Sequence, residues 1–344
     1  MEKNLFTFNF KLIPKGGVLF LVYVFLFETF IYFIPPYILL KPPYSGTYLS
    51  QKEKISNKKN DFDLIIFGDC TSWAGIKPVI LNKELSISSY NFSIDERQSY
   101  LISYLFLKRY LKNCLKKPKI VILSVSANSL LGKHKLDFET LNKYVLPYFS
   151  VRLDLLNELD NHTRFKLILY QCSCFFPSIK KQFFLKRGCS NLFHHWTDSE
   201  VYNVFLSYFE KEKGFYNENL DPGKKYVETI TDIRESYKTF ALSEHNIFYL
   251  EKMLLLLSKQ NIRVIVCTNS IRSDEMKIWN EYNVKQNLFE FLQLKLKDYK
   301  NLVAFWDMFN VVSSKDNFID HLHLNNDGAI IYTNELATRL KLFI

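Results

Sequence analysis

The sequence predicts an α/β fold of three layers, in which helices cover both faces of a parallel sheet of five strands. Apolar runs of five to seven residues alternate with longer amphipathic segments, which is the pattern of βαβ units. The 344 residues are 48% hydrophobic and include only 10 Gly and 10 Pro. This composition is typical of a globular chain and excludes disordered and low-complexity classes.

The first part of the predicted sheet begins at Asp63. Strands are expected at residues 63–67, 86–92 and 119–125, and helices between them at 73–83 and 98–113. The strand segments are short and rich in apolar side chains, whereas the helix segments are longer and amphipathic.

The alternation resumes in the last hundred residues. Helices are expected at 245–260, 274–298 and 326–342, and strands at 263–268 and 301–307. Residues 131–243, which are rich in aromatic residues and lysine, fit no such alternation and are predicted to form an insertion after strand three. Insertions at the carboxyl side of strands commonly shape the binding site of an α/β fold.

An apolar segment near the amino terminus is long enough to cross a membrane. Gly16 to Leu40 is about 25 residues long, and a helix of about 20 residues spans a hydrocarbon core of roughly 30 Å. Glu28 is the one charge, and its cost of about 3 kcal/mol can be offset by the surrounding apolar residues. Because no small-residue cleavage site precedes Lys41, residues 1–40 are predicted to be a cytoplasmic stub and an uncleaved signal anchor. The alternative is a buried helix of the globular domain.

Polar and charged residues flank this segment. Residues 41–62 are polar and contain prolines, so they are predicted to be a linker that precedes a domain at 63–344. Lys3, Lys11 and Lys15 favour a cytoplasmic amino terminus, which places the main domain on the extracytoplasmic side.

The chain carries a formal net charge of +10, which suits anionic lipid headgroups or an acidic polymer. Its lysines are spread along the chain, without a zinc-finger spacing or an RNA-binding motif, so nucleic acid is not expected as a partner. The basic run SIKKQFFLKRG includes Lys180, Lys181, Lys186 and Arg187. It is predicted to face an anionic polymer or headgroups, and an ordinary solvated loop is the alternative.

No metal or other cofactor is expected. The six cysteines include no CxxC pair and no framework spacing, which argues against a zinc site and against a disulfide scaffold. His194 and His195 are adjacent but have no third ligand, and such pairs are commonly part of an aromatic loop.

Cys70 lies where a nucleophile is expected. The first strand ends in Gly68-Asp69-Cys70, and a helix-like segment follows. A strand-to-helix turn presents its side chain at the sheet edge, and the helix amino end favours a thiolate or an oxyanion. Cysteine is a competent nucleophile when a neighbouring imidazole lowers its pKa from about 8.5. Asp69 is expected to turn inward and hold the bend, and Thr71 and Ser72 are alternatives to Cys70 if the turn is shifted.

Asp320 and His323 have the spacing of an acid–base pair. Three residues apart on a tight loop, the carboxylate can accept the Nδ1 proton while Nε2 faces a nucleophile. His321 is the competing base, and on an extended loop its side chain would point to the opposite face.

These two segments together resemble a known family. The run IFGDCTSWAGIKP and the run DHLHLN followed by Gly328 resemble the first and last blocks of the SGNH, or GDSL-type, esterases and O-acyltransferases, with Cys70 in the place of the serine. The resemblance covers about residues 60–130 and 245–342. It implies a flavodoxin-like sheet, a triad of Cys70, His323 and Asp320, and an oxyanion hole formed by the Cys70 amide, the Ser93 amide and the Asn128 side chain. Ser93 stands where the family has glycine.

The resemblance also implies a function. Membrane-anchored members of this family look like envelope proteins that modify surface polymers, often beside a multi-spanning acyltransferase. An acyl ester on a cell-envelope glycan would therefore be hydrolysed, or its acyl group transferred, through a thioester on Cys70. The alternative is a catalytically inactive module that binds or assembles envelope polysaccharide. Retention of the acid–base pair and of Asn128 favours catalysis, whereas Cys70 and Ser93 favour the inactive module.

Overall fold

The structure is a computed structural model that describes residues 19–20, 22–27, 29, 45–94, 99–131, 141, 164–165, 207–215 and 237–344. The chain divides into two compact units. The sheet and the candidate site lie in one of these units. That unit includes every described residue from Ser45 onward except 164–165.

Five parallel strands form the centre of this unit. They are β1 (Leu64–Phe67), β2 (Ser89–Asn91), β3 (Ile120–Val125), β4 (Arg263–Thr268) and β5 (Leu302–Trp306). Their order in the sheet is β2-β1-β3-β4-β5, and each neighbouring pair is parallel. This is the strand order of flavodoxin-like folds. The predicted α/β class with five parallel strands is confirmed.

Helices cover both faces of the sheet. They are α1 (Ser45–Asn57), α2 (Cys70–Gly75), α3 (Pro78–Leu85), α4 (Ser99–Asn113), α5 (Ala127–Leu130), α6 (Glu244–Lys259), α7 (Ser273–Glu281), α8 (Val284–Leu296) and α9 (Asn326–Leu340). Leu64 and Ile66 of β1 belong to one core cluster with Leu336 of α9. Phe67, which alternates with Ile66, stacks on Phe92 below α4. Successive strand residues therefore pack against opposite helical layers, because the side chains of a strand point alternately to the two faces of the sheet.

Two helices that the sequence predicted as continuous are each divided. The segment 73–83 overlaps both α2 and α3. The two helices are separate because Pro78 cannot continue a helix and instead occupies the first turn of α3. The segment 274–298 is divided at Asn283, whose φ of 53° lies in the left-handed region that Asn tolerates.

The polar segment 41–62, which was predicted to be a linker, contains helix α1. This helix packs against α4, where Arg109 forms an ion pair with Glu53 at 3.3 Å and the Asn113 side chain donates to the Ser56 carbonyl oxygen at 3.1 Å. Leu49, Lys52 and Ser56 are buried. The segment differs from an extended linker because polar contacts hold it to the domain.

The predicted insertion leaves and rejoins the domain next to β3. Leu131 and Leu242 form an antiparallel bridge, and the Ser243 amide donates to the Leu130 carbonyl oxygen at 2.7 Å. Its described part thus begins and ends close to the carboxyl edge of the sheet.

Residues 207–215 of the insertion lie against β2. The Asn91 amide donates to the Lys213 carbonyl oxygen at 3.0 Å, and Trp73 Nε1 donates to that of Gly214 at 2.9 Å. The rings of Trp73 and Phe209 stack with centroids 5.9 Å apart. Gly214 has a φ of 89°, and a side chain there would collide with the Asn91 carbonyl oxygen, so glycine is required.

Several predictions concern residues that lie outside the described ones. These are most of the anchor segment 16–40, the basic run at Lys180, Lys181, Lys186 and Arg187, and the pair His194 and His195. Residues 19–20, 22–27 and 29 are helical. Within the described ranges, no helix combines the length and the apolar character needed to cross a bilayer.

Candidate active site

Cys70 is the first residue of α2, directly after the turn that ends β1. Asp69 caps this helix: its Oδ1 accepts hydrogen bonds from the Thr71 amide at 3.0 Å and from the Thr71 hydroxyl at 2.6 Å. The Ser126 hydroxyl donates to the other carboxylate oxygen of Asp69. The expectation that Asp69 turns inward and holds the bend is confirmed, and Cys70 remains half-buried.

Gly68 is required at this turn. A Cβ atom there would lie 2.8 Å from the Ser124 carbonyl oxygen and would also collide with the Ser72 side chain. The absence of a side chain lets β1 turn into α2 against β3.

Asn269, which sequence reasoning missed, fixes the turn from the other side. It follows β4, is buried, and donates to the Thr71 hydroxyl at 2.5 Å and the Ser72 hydroxyl at 3.1 Å. Its Oδ1 accepts from the Ser124 hydroxyl at 2.7 Å. Because Thr71 and Ser72 are buried in this network, Cys70 is the side chain of the turn best placed to react. The signal available in the sequence was a polar residue directly after a buried strand.

Asp320 and His323 form the hydrogen-bonded pair that their spacing predicted. Asp320 Oδ2 lies 2.7 Å from His323 Nδ1, and Oδ1 accepts from the amides of Leu322 and His323, each at 2.7 Å. The Ile319 amide closes the loop by donating to the His323 carbonyl oxygen at 2.9 Å. The carboxylate therefore holds both the ring and the backbone that carries it.

Charges in this buried loop shift both pKa values. Burial alone would lower the pKa of His323, but the Cys70 sulfur and the Asp320 carboxylate raise it well above its ordinary value. Burial alone would raise the pKa of Asp320, but hydrogen bonds and charge from His323 hold it well below the ordinary range. A proton is therefore held on the imidazole and not on the carboxylate.

Cys70 lies close enough to His323 for its sulfur to raise the pKa of the imidazole. Since Nδ1 is bound to Asp320, Nε2 is the ring nitrogen left to face the sulfur. The structure thus places Cys70 near the Asp320–His323 pair, although about 250 residues separate them in the sequence. Neither ring nitrogen of His321 has a hydrogen-bond partner among the described residues, so it is His323, and not His321, that binds the Asp320 carboxylate.

The start of α9 explains the Leu-Asn and Gly of the last motif. Asn325 caps α9 by accepting from the Gly328 amide at 2.9 Å, and a side chain on Gly328 would collide with the Asn317 carbonyl oxygen. The Thr333 hydroxyl, further along α9, donates to the Gly75 carbonyl oxygen at 3.3 Å. Helix α9 therefore joins the histidine loop to the helix that begins at Cys70.

The amide of Ser93, which was predicted to be an oxyanion donor, is already engaged in a hydrogen bond. It donates to Asn91 Oδ1 at 2.9 Å, and the Ser93 carbonyl oxygen accepts from Lys52 Nζ at 2.5 Å. Asn91 can bind this amide because its Nδ2 is anchored on the carbonyl oxygens of Ser72 and Ile76, at 3.1 and 3.0 Å. The Ser93 N–H already has an acceptor within the protein.

Asn128 lies in the first turn after β3 and is half-buried. Its Oδ1 accepts from the Tyr237 hydroxyl at 2.9 Å. Asn128 also lines a small pocket together with Thr71 and Leu322, which are direct sequence neighbours of Cys70 and His323. Asn128 therefore shares a pocket with residues adjacent in sequence to Cys70 and His323, which do not themselves line it.

That pocket is lined by both polar and apolar side chains. Its other lining residues are Ser126, Ala127, Asn269, Ser270, Ile271, Trp279 and Phe309. In the part of the chain that the structure describes, no group of three or more His, Cys, Asp or Glu side chains could hold a metal ion.

No family model matches the chain, and no curated protein matches it at a significant level. A candidate platelet activating factor from Streptococcus pneumonia has a solved structure similar to this one, with a TM-score of 0.42 and 11% identity over 93% of this chain and 99% of the other. A candidate acylhydrolase from Bacteroides fragilis has a TM-score of 0.36 and 11% identity over 86% of this chain and 95% of the other.

Proposed function

We propose that this chain is an SGNH-like acyl-ester hydrolase or O-acyltransferase in which Cys70, His323 and Asp320 form the catalytic triad. One observation carries the proposal: a buried, hydrogen-bonded Asp320–His323 pair lies close to a half-buried thiol at the carboxyl edge of a parallel sheet. Ligands of open α/β sheets bind at that edge. A solvated loop has no need to bury an aspartate and a histidine as a hydrogen-bonded pair.

The proposed reaction has two halves. The Cys70 sulfur attacks the ester carbonyl carbon, and the resulting oxyanion collapses to a thioester while the leaving alcohol takes a proton from His323. Water, or the hydroxyl of an acceptor, then loses its proton to His323 and attacks the thioester carbonyl. This step expels the Cys70 thiolate and completes hydrolysis or transfer. Asp320 orients the imidazole and stabilises its charged form throughout.

The oxyanion needs hydrogen-bond donors. We assign this role to the Cys70 amide at the start of α2 and to the Asn128 side chain, which lines the adjacent pocket. Ser93 is left out, because its amide donates to Asn91.

We also propose a substrate and a cellular location. An acyl ester on a cell-envelope glycan would reach the site if residues 1–40 anchor the chain and the main domain lies on the extracytoplasmic side. Most of the apolar side chains between Leu19 and Phe27 that the structure describes are exposed, which supports a need for an apolar environment there. A multi-spanning membrane acyltransferase is the partner that would supply or accept the acyl group.

A catalytically inactive module that binds or assembles envelope polysaccharide is the second candidate. The engagement of the Ser93 amide by Asn91 favours it, because one of the three expected oxyanion donors is lost. In that case the cleft beside Cys70 would recognise the glycan without cleaving it.

Hydrolysis of a fluorogenic acetyl ester by the detergent-solubilised full chain separates the two candidates. We expect turnover that is abolished in Cys70→Ala and in His323→Ala. Turnover should be unchanged in the control variant Cys114→Ala, which removes another half-buried thiol. Cys70→Ser tests whether a hydroxyl can replace the thiol in the same geometry. Equal rates for the wild type, Cys70→Ala and a no-protein blank would reject catalysis and leave the binding module.

A further inference from the structure

Helices α4 and α6 carry the same pattern of side chains. Each has an aromatic residue, a lysine four residues later and a leucine three residues after that, which are Tyr104, Lys108 and Leu111 in α4 and Phe248, Lys252 and Leu255 in α6. Residues at these spacings share one face of a helix. Because α4 leads into β3 and α6 into the neighbouring strand β4, the two helices run in the same direction. The repeated pattern therefore forms two parallel stripes.

The two stripes meet in one surface, because the helices pack side by side. The rings of Tyr104 and Tyr249 lie with centroids 5.8 Å apart. Lys252 Nζ lies 4.0 Å from the centroid of the Phe248 ring and 6.0 Å from that of the Tyr104 ring. Lys108 Nζ lies 5.8 Å from the centroid of the Tyr104 ring. Both ammonium groups thus lie over aromatic rings, and the lysine stems cover apolar surface.

Apolar side chains of this surface are exposed to solvent. Phe248 is 39% exposed and Leu255 is 48% exposed. Leu115, shortly after the end of α4, is 68% exposed. Lys112 and Lys259 extend the two stripes and are exposed as well. A surface that mixes exposed lysines with exposed aromatic and aliphatic side chains has the composition of proteins that bind at the boundary between lipid and water.

The charge of this surface is positive. Helix α4 contains no Asp or Glu. In α6, Glu251 forms an ion pair with Lys295 of α8 at 2.7 Å, and Glu244 lies in the first turn, ahead of Phe248. The lysines of the two stripes therefore make the surface complementary in charge to an anionic partner.

We propose that this surface, here named the α4–α6 face, binds an anionic lipid bilayer. Its members are Lys108, Lys112, Leu115, Phe248, Lys252, Leu255 and Lys259. The lysines would contact the phosphate groups, and the apolar side chains would enter the boundary between headgroups and acyl chains. This inference goes beyond the proposed function, because it concerns how the domain meets a membrane and needs no ester chemistry.

The exposed apolar side chains favour a bilayer over a soluble acidic polymer. Either partner could neutralise the lysines, but a soluble polyanion offers no apolar region to Phe248, Leu255 and Leu115. Binding through this face would also orient the domain. Since α4 and α6 run along the strands, the sheet would lie parallel to the bilayer, and its carboxyl edge with Cys70 would open sideways along the membrane surface.

Lysine acetylation of the full chain in lipid nanodiscs tests the inference. A water-soluble acetylating reagent is applied in discs of phosphatidylcholine and in discs that contain about one-third phosphatidylglycerol, and mass spectrometry gives the rate at each lysine. Lys108, Lys252 and Lys259 should react roughly threefold or more slowly in the anionic discs. Lys83 and Lys341, which are exposed on the layer of α3 and α9, should react equally in both. Equal rates at all five lysines in the two kinds of disc would overturn the proposal.

Charge reversal with a matched control identifies the surface. In Lys108→Glu combined with Lys259→Glu, the protection of Lys112 and Lys252 in anionic discs should be lost. Lys83→Glu combined with Lys341→Glu reverses as many charges on the other layer and should leave that protection intact. Protection of Lys112 and Lys252 that persists in the first variant, or that is lost equally in both, would show that this face is not the one that binds.

A third comparison decides between a bilayer and an acidic polymer. Leu255→Ser keeps every lysine but removes an exposed apolar side chain, so it should weaken the protection given by anionic discs. Heparin, a soluble polyanion, should protect the same lysines less than the discs do. If heparin protects them as well as the discs and Leu255→Ser changes neither result, the face binds acidic polymers and the proposal is wrong.

Discussion

The ammonium group of Lys52 lies 2.5 Å from the carbonyl oxygen of Ser93. It also donates to the carbonyl oxygen of Asn91 at 2.8 Å and lies 5.8 Å from the centroid of the Trp73 ring. Lys52 is 1% exposed, and burial lowers its pKa well below the ordinary value. Helix α1 is thereby tied to the backbone that follows β2, next to the site.

Replacement of Lys52 by Met should destabilise the domain at high pH more than at neutral pH. The side chain keeps its length, but two buried carbonyl oxygens lose their donor, which costs about 2 kcal/mol. Because the pKa of Lys52 is lowered by folding, the unfolded chain binds more protons between that lowered pKa and about 10.4. The unfolding free energy of the wild type should therefore rise with pH in this window, and Lys52→Met should lack that contribution.

Urea unfolding at pH 7 and pH 9.5 measures this difference. Lys54→Met, which changes an exposed lysine of the same helix, is the matched control and should be close to neutral at both values. If the difference in unfolding free energy between the wild type and Lys52→Met is the same at both pH values, the folded state does not lower the pKa of Lys52.

Truncation at two points tests whether α1 belongs to the domain. Removal of residues 1–44 leaves α1 whole, so we expect a protein that stays in solution without detergent and unfolds cooperatively. Removal of residues 1–57 also removes Lys52 and the Glu53–Arg109 ion pair, and this protein should aggregate or melt at a lower temperature. Size-exclusion chromatography and thermal denaturation compare the two. Aggregation of the longer protein as well would mean that the amino-terminal segment is part of the core.

The sheet could be predicted from the sequence because its strands are apolar runs, which have to be buried in a folded protein. β1, β3 and β4 are buried almost throughout, and Asp69, Cys70 and Asn269 follow such strands. Asp320 and His323 were predictable for a different reason: the whole hydrogen-bonded loop is local, so a spacing of three residues determines it.

Features that depend on distant polar contacts could not be predicted. Helix α1 was missed because its composition is polar and its burial depends on Lys52 reaching the loop after β2. Ser93 was assigned as an oxyanion donor because nothing in the local sequence shows that Asn91 binds its amide. Asn269 is 198 residues from its partner Thr71, and Tyr237 is 109 residues from its partner Asn128. No pattern in one sequence links residues so far apart.

Asn269 should matter for both stability and the reactivity of Cys70. Asn269→Leu keeps the volume but leaves the buried hydroxyls of Thr71, Ser72 and Ser124 without their shared partner, which should cost about 2 to 3 kcal/mol. Asn269→Asp keeps the acceptor for Ser124 but loses the donor to Thr71. Chemical denaturation, together with the rate of Cys70 alkylation, reports both effects. Unchanged stability in Asn269→Leu would show that the turn does not depend on this side chain.

The reactivity of Cys70 should have its own pH dependence. Because the pKa of His323 is raised, the imidazole keeps its proton above pH 6.5, and the adjacent positive charge favours the thiolate on Cys70. An isolated thiol has a pKa of about 8.5, burial raises the pKa of Cys114, and burial raises that of Cys267 to about 11. Iodoacetamide should therefore modify Cys70 faster than Cys114 and Cys267 at pH 6 to 7, and this lead should shrink as the pH rises.

Variants of the acid–base pair test the cause of this reactivity. His323→Ala removes the positive charge, so alkylation of Cys70 at pH 6.5 should slow by roughly tenfold or more and its rate should rise with pH as for an ordinary thiol. Asp320→Asn removes one of the two groups that raise the pKa of His323. Alkylation of Cys70 at pH 6.5 should therefore slow in this variant too, but by less than in His323→Ala. Mass spectrometry of cysteine-containing peptides gives the rates in one sample, in which Cys114 is the internal control. If Cys70 and Cys114 share one pH profile in the wild type, the imidazole does not activate the thiol and the triad is wrong.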